Sequence, residues 1–146
     1  MKYEITIIGI LLAVLASNSV ADDKDSRQFV ELPPPMRQHM LTNMRDHLTA
    51  ISEIQQALAS GNFDQAADIA ESRLGMSSLD SHGASHMAAF MPKEMQAIGT
   101  EMHRAASQFA VAAQESAVNG DIKPAIAGLA KITQRCVACH AAFRVH

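Results

Sequence analysis

Along most of this chain the apolar positions recur at helical spacing. From residue 35 onward Met40, Leu41, Met44, Leu48, Ile51, Ile54 and Leu58 follow one another at mostly three- and four-residue steps until Ser60 and Gly61 interrupt them, the period of one face of an α-helix. Proline is tolerated in a first helical turn and not later, so the run Pro33, Pro34, Pro35 predicts a first helix beginning near Pro35. A second, shorter helix is expected over F-D-Q-A-A-D-I-A-E-S-R-L, with Asn62 as its cap, Asp64 near its positive end and Gly75 just past its last turn. The stretch from Gly75 to Met91 mixes turn residues with apolar ones and reads as a long connection holding a helical turn. Pro92 then opens a third helix, whose seam of Met95, Ile98, Met102, Ala105, Phe109 and Ala112 runs to Asn119 and Gly120. Asp121 caps a fourth, with Pro124 in its first turn and Ile126, Leu129, Ile132, Cys136, Cys139, His140 and Phe143 on its apolar face.

Composition agrees with this pattern. Tryptophan is absent, tyrosine occurs once, and alanine, leucine, glutamine and methionine are abundant, which favours helices over strands. The expected fold class is all-α, an antiparallel four-helix bundle whose helices are joined mostly by short loops. The formal net charge of −3 suggests no nucleic acid and no anionic membrane as partner.

The first residues read differently. Lys2 precedes the apolar run I-T-I-I-G-I-L-L-A-V-L-A, and S-N-S-V-A-D-D supplies small residues at a cleavage point, the pattern of an export signal cut after Ala21. The run is shorter than the ~20 residues that span a bilayer as a permanent helix. The expected organisation is a signal over residues 1–21, a flexible acidic arm over 22–34 and one helical domain over 35–146, in a periplasmic protein with no stable membrane insertion after cleavage.

The chain has two cysteines, and both fall in the terminal stretch R-C-V-A-C-H-A-A-F-R-V-H. A disulfide between Cys136 and Cys139 would close a loop too short to constrain the unfolded chain much. A redox dithiol normally sits at a helix N-terminus after a strand, and structural zinc asks for four ligands. C-x-x-C-H is the attachment pattern of a c-type haem. Residues three apart on a helix share a face, so each thiol can add across one vinyl group of the macrocycle. His140 is then placed to give a ring nitrogen to the iron. One covalently bound haem c near the C-terminus is therefore expected.

Those residues, together with two further matches, resemble the cytochrome c prime group, the class II c-type cytochromes. That family carries C-x-x-C-H followed by an aromatic and a basic residue, here Cys136, Cys139, His140, Phe143 and Arg144, and a first-helix pattern R-Q-x-x-L-T-x-M, here Arg37 to Met44. The likeness spans the chain from residue 35 on. It implies that Leu41 covers the distal face and leaves the iron five-coordinate, able to bind nitric oxide or carbon monoxide as well as to pass electrons to redox partner proteins. It also implies that Arg37 and Arg144 face haem propionates, and that two copies associate through the first two helices. Met40 and Met44, each within a turn of Leu41, open the alternative of a low-spin electron carrier with a thioether as sixth ligand. His39 and His47 read as surface or rim residues, with ligation of the iron by either as the lesser reading.

The chain departs from the family in its long acidic arm, its lack of tryptophan and its connection rich in histidine and methionine. His82, His86, Met87, Met91, Met95, Met102 and His103 are the soft and imidazole donors that copper(I) selects, so a secreted copper-binding protein is a competing class. Met91, Met95 and Met102 also continue a core seam, and an exposed histidine loop is the plain expectation. No paired carboxylates or nucleophile and base pattern points to an enzyme.

Overall fold

The structure, a computed structural model, describes residues 25–146. The signal expected over residues 1–21, and the start of the arm, lie outside the described residues. The described chain is all-α apart from two short strands. In order it holds β1 (Gln28–Phe29), α1 (Pro34–Ala59), α2 (Phe63–Leu74), a 3-10 turn (Met76–Ser78), α3 (Ala84–Ala88), α4 (Lys93–Asn119), α5 (Lys123–Ala142) and β2 (Phe143–Arg144). None of the described helices is long and apolar enough to cross a membrane.

The helix ends follow from their local chemistry. Proline occupies the first turns of α1 and α5, where no backbone N–H is needed. Gly120 ends α4 with φ of 76°, a left-handed conformation that only glycine adopts cheaply. Asn62 stands at the cap of α2 without making the side-chain hydrogen bond expected of it. Asp121 does not occupy the cap position of α5, which falls to Ile122; its carboxylate instead accepts the Lys123 N–H at 3.0 Å.

The main core gathers Ile54 and Leu58 of α1, Ala66, Ala70 and Leu74 of α2, Ala106 and Phe109 of α4, and Leu129 and Ile132 of α5. Small residues on α2 and α4 let the helices approach closely. Gly128 does the same for α5, since a Cβ there would stand 3.3 Å from Phe109. Close packing runs from α1 to α2, from α2 to α4 and from α4 to α5, and no comparable packing joins α1 to α5. Arg73 of α2 fastens the first of these pairs, its guanidinium reaching both Asp46 and Glu53 of α1.

Two expectations need correction here. The arm is not loosely held over its described part: β1 pairs in parallel with β2, Gln28 opposite Phe143 and Phe29 opposite Arg144, and the Val30 N–H donates to the Arg144 carbonyl at 2.8 Å. Val30 and Leu32, 3% and 6% exposed, enter a second core with Met40, Met87, Met95, Phe143 and Val145. Apolar residues beyond the acidic opening had a surface waiting for them. The buried face of α1 is also rotated from the expected one. It runs Met40, Asn43, His47, Ala50, Ile54, Ala57 and Leu58, leaving Leu48 72% exposed.

Candidate functional site

The terminal motif occupies the last turns of α5, where Cys136 and Cys139 are free thiols, each half-buried. Burial pushes the Cys136 thiol above its ordinary range, and burial together with the neighbouring Cys136 does the same to Cys139. A redox dithiol needs the opposite, a lowered pKa that keeps one sulfur as thiolate. His140 follows on the exposed side of the helix.

Where α1 and α5 fail to close against each other lies a cavity of about 370 Å³. Cys136, Val137, Cys139 and His140 line it from α5, Met44, His47, Leu48 and Ile51 from α1, and Ile98, Gly99 and Met102 from α4. Leu48 and Val137, 72% and 68% exposed, are large apolar side chains left open to water on these two helices. Gly99 widens the space from the third side: a Cβ built there meets no atom within 4 Å. A flat apolar macrocycle held at one edge by the two sulfurs fits these residues. It would cover side chains now in water and use the opening that a larger residue at 99 would fill.

The other residues expected at the site are divided between this cavity and elsewhere. Met44 lines the cavity. Leu41 does not, packing instead beside the second core. Met40 is buried in that core and lines a second cavity of about 200 Å³. Arg37 is exposed on the first turn of α1. Phe143 is buried under the arm. Arg144 lies 3.3 Å from the Asp25 carboxylate and 5.0 Å over the Phe29 ring, so its charge is engaged by the arm.

Three histidines line the second cavity, and one of them, His47, lines the first as well. His47, His82 and His103 are each 8% exposed, which overturns the expectation of a rim residue and an exposed histidine loop. Their rings lie close together, with centroids 4.7 Å apart for His47 and His82, 5.3 Å for His82 and His103 and 6.0 Å for His47 and His103. The His103 Nδ1–H donates to the Leu74 carbonyl at 2.8 Å. Ser78 gives its hydroxyl proton to the Gly75 carbonyl at 2.7 Å, which leaves Oγ to accept from His82 Nδ1 at 3.3 Å. The His82 carbonyl accepts from His39 Nε2 and Asn43 Nδ2, at 3.0 and 3.1 Å. His47 Nε2 alone is buried with no hydrogen-bond partner. Burial, with the two neighbouring imidazoles adding to it, lowers the His47 pKa to about 4. Burial lowers His82 and His103 as well, so all three rings are neutral at pH 7.

This cluster bears on the copper alternative. Met40, Met44, Met87, Met91, Met95 and Met102 all line the second cavity with His47, His82 and His103, while His86 is exposed. Among the described residues no group of three or more His, Cys, Asp or Glu side chains is placed to hold a metal ion.

Sequence reasoning placed His47 at the surface or rim, with ligation only as the lesser reading, and missed its burial. The signal was present: His47 sits three residues past Met44 and four before Ile51, inside the helical period, but a polar residue was not counted as part of the stripe. Comparison with known proteins found no match, whether to a family model, a curated protein or a solved structure.

Proposed function

We propose that this chain is an exported, single-haem c-type cytochrome that passes single electrons, with α1, α2, α4 and α5 as the four helices of a c prime-like antiparallel bundle. The reading rests on one observation above the rest: both thiols of the C-x-x-C-H motif, and its histidine, line an apolar cavity bounded by α1, α4 and α5. When bound, the haem supplies a one-electron iron couple.

The chain's own residues do the remainder. Cys136 and Cys139 would hold the ring at its edge, each thiol adding S–H across one vinyl group to give a thioether. His140, on the same helix, would give a ring nitrogen to the metal. With the ring in place, Leu48, Ile51, Ile98, Ile132 and Val137 would pack against it and exclude water, and such a low-polarity shell is one of the levers that set a haem potential. Electron transfer is favoured over gas binding because Leu41, the expected apolar lid, is not among the residues that line this cavity, whereas the α1 wall carries donor atoms at Met44 and His47.

Expression of the full chain with a haem-attachment system tests this. The mature protein is expected to gain the mass of one haem, to give a pyridine haemochrome and to lose both in Cys136→Ser/Cys139→Ser. A mature polypeptide without added mass overturns the reading. Carbon monoxide added to the reduced protein is expected to leave its spectrum unchanged, and a large shift would restore the gas-binding alternative.

A further inference from the structure

The cavity beside the terminal motif contains three donor side chains besides those of the motif: Met44 and His47 on α1 and Met102 on α4. The two α1 donors differ in one respect. A thioether sulfur loses little by lying in apolar surroundings. A buried imidazole nitrogen without a hydrogen bond has lost its bond to water and gained none in return, and His47 Nε2 is such an atom. Its two neighbours have their Nδ1 atoms engaged, His103 by the Leu74 carbonyl and His82 by Ser78. Those hydrogen bonds fix the His82 and His103 rings, and His47 is packed against both. It lines the cavity with its own Nε2 left without a partner.

The placement of the helices selects among the donors. α4 packs directly on α5, the helix that carries the sulfurs and His140, whereas α1 has no such packing with α5. A group anchored on α5 in the opening between α5 and α1 would meet α1 across it, so a second ligand would come most directly from there. We propose that His47 is that ligand, so that the haem iron is held between His140 and His47 by two imidazoles. The proposal rests on the reading of the chain as a haem c protein and goes beyond it by replacing the open or thioether-ligated distal side with a nitrogen donor.

The test uses the full chain, matured with haem, in three forms: wild type, His47→Leu and Met44→Leu. Pyridine haemochrome is measured first, because its absence defeats the haem reading itself and not the ligand assignment alone. With haem present, the wild type is expected to be low-spin in both oxidation states, without a sulfur-to-iron charge-transfer band and without carbon monoxide binding. His47→Leu is expected to become high-spin when reduced, to bind carbon monoxide and to return to low-spin on addition of free imidazole, while Met44→Leu keeps the wild-type spectrum. A high-spin wild type overturns the assignment, as does a sulfur-to-iron band. These two outcomes need no variant to fold. A low-spin spectrum that persists in His47→Leu also overturns it, by assigning the ligand to another residue.

Discussion

His47 shows how one residue can carry both a cost of folding and a use. Its pKa of about 4 in the fold lies below the ordinary 6.5, so the unfolded chain binds a proton before the folded one does. Stability is therefore full above about pH 6.5 and falls as pH drops from there toward 4, by roughly 1.4 kcal/mol per pH unit and on the order of 3 kcal/mol in all. His82 and His103 shift in the same direction and add to the slope. In Cys136→Ala/Cys139→Ala, which cannot take covalent haem, the thermal midpoint is expected to fall between pH 7 and pH 4, and His47→Leu to flatten that dependence. A midpoint equally steep with and without His47 would contradict the burial argument. That the terminal motif gathers at one cavity was legible, because residues three and four apart on a helix share a face. His47 was not, because burial of a polar side chain depends on neighbours such as His82 and His103, which lie 35 and 56 positions away along the chain.

At the level of the elements, the four long helices could be read from periodicity and from their proline and glycine punctuation, with ends correct to within a residue or two. The rotation of α1 could not. Asn43, His47 and Ala50 face inward because small and polar groups meet the histidine cluster and α2, while Leu48 faces the open seam beside α5. A hydrophobicity count places leucine inside whenever it can, and fails where a helix face borders an open cavity, as at Leu48. Gly99 belongs to the same seam. Glycine in a helix interior costs up to about 1 kcal/mol relative to alanine, and here nothing lies within 4 Å of the added carbon. Gly99→Ala is expected to raise the thermal midpoint of the haem-free protein. Gly99→Leu is expected to fill the opening and to cut the yield of covalent haem, read as haemochrome per mole of protein. Equal yield from both variants would show that the seam does not receive the ring.

For the whole molecule, the unexpected feature is the pairing of residues 28–29 with residues 143–144. The acidic opening predicted a loose arm, and local composition could not reveal that Val30 and Leu32 would find Phe143 and Val145 more than a hundred residues away. Each fully buried side chain of this kind contributes roughly 1.5–3 kcal/mol, so deletion of residues 22–32 is expected to cost on the order of 3 kcal/mol or more. Chemical denaturation of the truncated and full chains checks this, and an unchanged midpoint would show that the arm contributes nothing. The parallel pairing of residues 28–29 with 143–144 also imposes a timetable. Residues 28–29 are made long before 143–144, so the arm can rest on Met40, Met87 and Met95 first and gains its strand partner last. Until that pairing forms, the segment just beyond the cysteines stays unlatched, open early and shut afterwards.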